Sequence, residues 1–138
     1  MIGRGLDGSA LGVYQLLSAN DFDGGGSSNP VDLSNYATAM LVLAAGSVNT
    51  GFQARMERSA TSNGTFGEFG ASLAVNAGCV IFTRGFGLGT SNVWHRLYYT
   101  NGTGSATAAV VLVAQGARVA PITQPTGVTT WSFVPAAK

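Results

Sequence analysis

The sequence predicts an all-β protein, an antiparallel β-sandwich with extended N- and C-terminal arms. Three observations predict it. The stretch Ala106–Gly116 (ATAAVVLVAQG) reads as one extended strand, apolar on both faces for most of its length. Apolar residues nowhere recur at spacings of three and four over a useful length, so no helix competes. Strand patterns arrive about every 8–15 residues with glycine-rich turns between them, the spacing of a sandwich, with a jelly roll among the arrangements it allows.

The central stretch sets the organisation. Ala106, Ala108, Val110, Leu112 and Ala114 fall on one face; Thr107, Ala109, Val111, Val113 and Gln115 fall on the other. Side chains of a strand alternate with period two, so such an element is expected to be covered from both sides. Tyr36–Ala45 (YATAMLVLAA) has the same character. These two form the predicted spine.

Ahead of the spine, residues 1–35 read as an arm. Leu11–Leu17 is a short strand, and Ser18–Pro30 (SANDFDGGGSSNP) a flexible loop. After Tyr36–Ala45, the segment Gly46–Gly51 makes a turn. Phe52, Ala54 and Met56 then alternate with Gln53, Arg55 and Glu57, which predicts a half-buried strand with a wet outer face. Arg55 and Glu57 pair there for little net stability. Ser59–Gly70 reads as a loop. Ala71–Val75 and Cys79–Arg84 read as short strands, and Gly85–Asn92 as a glycine-rich connection. Val93–Thr100 puts Val93, His95, Leu97 and Tyr99 on one face and Trp94, Arg96, Tyr98 and Thr100 on the other. Asn101–Gly104 then returns the chain into the central strand, since Asn-Gly between strand patterns signals a hairpin. Pro121 and Pro125 exclude a further central strand. Val128–Val134 (VTTWSFV) alternates, and predicts a second arm with Trp131 and Phe133 on one face. The predicted units are therefore an arm over 1–35, a sandwich over 36–120 and an arm over 121–138.

Composition bounds the function. The chain has 138 residues, one domain's worth, and a single cysteine, Cys79, so no intrachain disulfide forms. Only 9% of residues are charged and 20 are glycine, against about 25% charged in ordinary soluble domains. Charge normally keeps a surface soluble and monomeric. A surface this poor in it is covered by Ser, Thr, Asn and Gly, or by other protein. Arg4 against Asp7, Asp21, Asp23 and Asp32 gives residues 1–35 a net −3, whereas residues 70–138 carry four cations and no acid. An acidic front and a basic back can attract each other between copies. The apolar run around Tyr36–Ala45 falls short of the about 20 residues of a membrane helix. The start, MIGRGLDGSALG, does not read as a signal peptide. The expectation is no membrane partner.

No catalytic constellation stands out. His95 is the only histidine and reads as packing at the core edge; Cys79 reads as a small buried hydrophobe. Asp21, Asp23, Asn29 and Asp32 partly mimic a calcium loop, but Gly25 fills its fifth place and no helices flank it, so a solvated linker is the reading taken. Gly85, Gly87 and Gly89 have the wrong spacing for a phosphate loop. Seven cations spread along the chain make no nucleic-acid stripe. The expectation is a non-enzyme without metal or cofactor.

Three stretches carry a resemblance. Val31–Leu43 (VDLSNYATAMLVL) resembles an opening strand, and Trp94–Thr100 with Asn101–Ala114 resembles a closing hairpin. Gly116–Ala117–Arg118 followed by Pro121 resembles a terminal Gly-x-Arg-x-x-Pro exit, with Gln115 where a second glycine is usual. The family they resemble is the small all-β capsid-associated proteins of tailed bacteriophages, which include cement or decoration proteins. The match spans Tyr36 to Pro121, about two-thirds of the chain. The resemblance implies a virion structural protein on the capsid surface, made in the host cytoplasm. Its implied partners are the major capsid protein and copies of itself, as a homotrimer. Tyr14, Leu16, Phe22, Arg118, Trp131 and Phe133 are the expected interface residues, aromatic anchors being the usual dominant contacts. Two alternatives stand beside it. One is a carbohydrate- or receptor-binding sandwich of a tail or fibre, with Trp94 and Tyr98 stacking on sugar rings. The other is a neck or tail structural component.

Overall fold

The computed structural model describes residues 11–23, 25–47, 52–75, 78, 80–82, 86–100, 105–119 and 122–125. Its strands are β1 (Gly12–Asp23), β2 (Gly26–Ser27), β3 (Val31–Asp32), β4 (Thr38–Ser47), β5 (Gln53–Ser59), β6 (Gly67–Ala74), β7 (Val80–Phe82), β8 (Phe86–Gly87), β9 (Trp94–Thr100) and β10 (Ser105–Gln115). They make two sheets. The first has the order β1-β10-β4-β7, with β8 also on β4; the second has the order β2-β9-β5-β6, with β3 also on β9. Every pairing is antiparallel. The protein is an antiparallel β-sandwich, and no helix occurs among the described residues.

The pairs are nested. The first strand lies beside the last, β2 and β3 beside β9, β4 beside β7 and β8, and β5 beside β6. The chain crosses between the sheets six times, staying in one sheet only from β2 to β3, β5 to β6 and β7 to β8, so it is wound round one core. Alternation decides which side chains enter it. Ala106, Ala108, Val110, Leu112 and Ala114 of β10 point inward with Ala39, Leu41, Leu43 and Ala45 of β4. Facing them from the second sheet are Ala54, Met56 and Leu97, with Phe52 just ahead of β5. Each large side chain removed from water there contributes roughly 1.5–3 kcal/mol. The period-two reading of β4, β9 and β10 describes these strands correctly, but the expected hairpin between β9 and β10 is not formed, because β9 pairs in the second sheet and β10 in the first.

The N-terminal boundary differs from the sequence expectation. Residues 12–23 and 25–33 belong to the sandwich itself and not to an arm. β1 runs through Ser18–Asp23, where the sequence predicts a loop, because Asn20, Asp21, Phe22 and Asp23 pair with Ala108, Thr107, Ala106 and Ser105. A waiting partner strand outweighs the poor β-propensity of Ser, Asn and Asp. Leu33 and Tyr36 are buried in the same core. β6 likewise begins at Gly67, inside the predicted Ser59–Gly70 loop. Two short pieces, β2 and β3, are held to β9 partly by Ser28. Its N–H donates to the Leu97 carbonyl at 2.8 Å, and its Oγ accepts from the Leu97 N–H at 2.9 Å.

The exit from β10 is clamped. Gly116 adopts φ +70°, a left-handed turn that favours glycine, and a Cβ there would stand 3.0 Å from the Cβ of Ala37. The Asn35 side-chain amide pairs with both backbone groups of Val119 at 2.9 and 3.0 Å. Farther on, the Gln124 amide donates to the Leu11 carbonyl and accepts from the Val13 N–H at 3.0 Å. It thereby fills backbone positions that a further strand would take on the outer edge of β1. Residues 126–138 lie outside the described residues.

Candidate interaction surface

The outer face of the first sheet is built from the residues of β10 and β4 that the core does not take. The register aligns Val13, Val113 and Met40 in one row, and Gln15, Val111 and Val42 in the next, with Phe82 opposite Val42. Ala109 and Ala44 make a third row. Strands about 4.8 Å apart and about 3.4 Å per residue make this an area roughly 10 Å wide and 14 Å long across β1, β10 and β4. Val13, Met40, Val42, Ala109, Val111 and Val113 are half-buried, and Ala44 is exposed. None of these positions carries an ionisable group. The sequence predicts cover on both faces of β10. The second sheet covers the inner face only, and among the described residues no sheet covers the outer one.

The outer face of the second sheet is the opposite in character. Glu57 lies between Arg55 and Arg96, with 2.9 Å contacts to each, and its side chain is only 6% exposed. Arg55 also reaches Glu68 at 2.8 Å. Arg55 covers the Tyr98 ring at 4.5 Å, and Arg96 covers Phe66 at 4.2 Å. Burial pushes the Glu57 carboxyl up, but the hydrogen bonds and charges of Arg55 and Arg96 outweigh it and hold the group below its ordinary range. The exposed Arg55–Glu57 pair expected from sequence is therefore one limb of a buried hub. The missing signal was Arg96, paired with Glu57 across the β5–β9 ladder. Tyr98, offered for sugar stacking, has its ring under a guanidinium; Trp94 is half-buried.

The expected interface residues are scattered. Tyr14 is half-buried against Tyr36, edge to face at 6.3 Å with their hydroxyls 3.2 Å apart. Burial first, then this bond, raises the Tyr14 hydroxyl above its ordinary range. Gly12 makes the pair possible, because a Cβ there would collide with the Tyr36 hydroxyl. Leu16, expected at an interface, is a core residue, 8% exposed. The register shift between Gln15 and Leu17 turns Leu16 and Leu17 both inward, which strict alternation forbids. Phe22 pairs with Ala106 through its backbone, and its side chain lies outside the described atoms. Arg118 is exposed, and its N–H donates to the Asn35 carbonyl at 2.7 Å. Trp131 and Phe133 lie outside the described residues. Among the described residues, Tyr14, Leu16 and Arg118 do not form one surface, and the structure presents an outer face that the alternation of β10 already contained.

His95 is 1% exposed, packed against Phe69 with ring centroids 5.6 Å apart. Its Nδ1 donates to the Val93 carbonyl at 3.1 Å, and its buried Nε2 has no hydrogen-bond partner. Burial pushes its pKa down, so the ring is neutral. Asp32, one candidate of the calcium loop, accepts from the Ser34 N–H at 2.9 Å. Among the described residues no group of His, Cys, Asp and Glu is placed to hold a metal ion, and no helix is long and apolar enough to cross a membrane. Cys79 lies outside the described residues. Neither a family model, nor a curated protein, nor a solved structure matches the chain.

Proposed function

We propose that the chain is a virion structural protein, a capsid cement or decoration protein that docks the outer face of its first sheet on the major capsid shell at subunit junctions. One observation carries the reading: an uncharged, outward-facing sheet surface, centred on Val111, on a chain in which 9% of residues are charged. Depletion of charge is the compositional mark of the centre of an interface, and no sheet among the described residues covers this face. The nested strand pairing supports reading the sandwich as a jelly roll, an architecture frequent in viral capsid proteins and lectins. That support is fold-level analogy. The resemblance of Tyr36–Pro121 to phage capsid-associated proteins points the same way. The lectin-like alternative is weaker, because Arg55 occupies the Tyr98 ring face a sugar would need.

The test is binding of the full chain to shells assembled without it. Val111→Glu sets a charge in the middle of the outer face while leaving the core untouched. The variant should keep its circular dichroism spectrum and lose shell binding by at least tenfold. Arg118→Ala, at the exposed exit, should bind as well as the wild type. Undiminished binding by Val111→Glu would overturn the reading.

A further inference from the structure

A second apolar feature lies at the opposite edge of the sandwich. Opposite the single residue Arg55 of β5, β6 carries three residues, Gly70, Ala71 and Ser72, because Ala54 pairs with Leu73 and Met56 with Phe69. This bulge, with Gly70 at φ +89°, bows β6 away from its neighbour. Behind it opens a cavity of about 230 Å³ lined by Leu41, Ala54, Met56, Phe69, Leu73 and Phe86. An apolar cavity of roughly 150 Å³ already admits a benzene ring, so this one has room for an aromatic side chain. Arg55 stands at its rim, but that guanidinium is already shared by Glu57 and Glu68. The slot therefore suits an uncharged group.

The slot adjoins a free strand edge. β6 ends the order of the second sheet, and its residues are exposed apart from Phe69 and Leu73. Its single charge, Glu68, is tied to Arg55. Gln124 guards the edge of β1, whereas among the described residues no side chain guards β6 in that way. A free edge above an apolar slot is the arrangement used for strand addition, in which main-chain bonds give affinity and alternate side chains fill pockets.

We infer that the slot and the β6 edge receive the C-terminal segment Val128–Val134 of a second copy of this chain, with Trp131 in the cavity. That segment alternates, sets its two aromatic residues on one face, and lies in a stretch without charge between Arg118 and Lys138. Chain length favours a neighbour over the same molecule. Gln124 is fixed at β1, and Phe86 of β8, on the far wall of the slot, lies three strands away. Crossing three strand spacings and entering the gap between sheets takes roughly 24 Å. Seven extended residues, from Gln124 to Trp131, span about 24 Å at most, which leaves no slack for pairing along β6. A neighbour's segment has no such limit. A contact of this kind is head-to-tail, and it closes into a ring where the rotation allows, a trimer among them. The inference stands apart from shell docking, which uses another surface.

The test is complementation between two full-length variants, read by analytical ultracentrifugation. Ala71→Trp roofs the slot from an exposed position and leaves the tail intact. Trp131→Ser with Phe133→Ser spoils the tail and leaves the slot intact. The wild type should form closed oligomers, and each variant should self-associate at least tenfold more weakly while keeping its circular dichroism spectrum. An equimolar mixture should form 1:1 pairs. Excess peptide of residues 126–138 should dissociate the wild-type oligomer, a readout that needs no mutation. A monomeric wild type, variants that assemble like it, a mixture that fails to pair, or an oligomer indifferent to the peptide would each overturn the inference. The separation from the shell reading is clean, because Val111→Glu should leave self-association unchanged.

Discussion

Leu112 and Val111 are neighbours on β10 that face opposite ways, and truncating each should show which face the chain covers for itself. Leu112 is 0% exposed and sits between the two sheets. Truncating a buried leucine to alanine costs about 2.7–5.0 kcal/mol, more where the site cannot collapse. Leu112 is wedged in a central strand, with β1 on one side and β4 on the other. Leu112→Ala should therefore cost about 4 kcal/mol, in the upper part of that range. Val111→Ala removes two methyl-sized groups from a half-buried position. At about 0.8 kcal/mol per fully buried carbon, halved for exposure, the loss is about 0.8 kcal/mol. Urea unfolding followed by circular dichroism reads both values. Equal costs for the two variants would mean that the outer face is covered within the single chain, and the docking account would lose its basis.

Three further outcomes follow from particular contacts. Ser28→Ala leaves the N–H of fully buried Leu97 without its 2.9 Å acceptor, and should cost about 1–3 kcal/mol in the same unfolding assay. Glu57→Gln removes the charge at the centre of the arginine hub and one of its two acceptor oxygens. A buried pair that loses one partner costs roughly 3–5 kcal/mol, but with the guanidinium groups partly solvated the expected loss is about 1–2 kcal/mol at neutral pH. Acid should weaken the wild type in two stages, read as melting temperature against pH. The pKa of His95 is lowered from 6.5 on folding, and that of Glu57 from 4.5. In each case the unfolded chain binds the proton more readily, so stability is full above the ordinary value and is lost as pH falls through the folded one. Glu57→Gln should flatten the second stage and spare the first.

Much of the fold was legible because four strands alternate strongly. β10, β4, β5 and β9 announce their inward residues by period two, and the core is made largely of those residues. What was hidden depends on partners distant in sequence. Nothing in Ser18–Asp23 signals a strand until Ser105–Ala108 lies beside it. The inward turn of Leu16 beside Leu17 needs a bulge that only the pairing reveals. The Glu57 hub needs Arg96, 39 positions away. The candidate surface was half legible: both faces of β10 read as apolar, but the number of sheets available to cover them did not. The slot behind β6 was not legible at all, since it arises from three residues set against one.

The central claim is that the outer face of the first sheet is bare on the free chain and covered on the shell. Met40 and Met56 report on it directly. Met40 is half-buried on that face, whereas Met56 is 6% exposed in the core. Oxidation by dilute peroxide, followed by mass spectrometry, should modify Met40 well ahead of Met56 in the free protein. On the shell, Met40 should be protected to the level of Met56. If Met40 resists in the free chain as Met56 does, or oxidises equally fast on the shell, the account is contradicted.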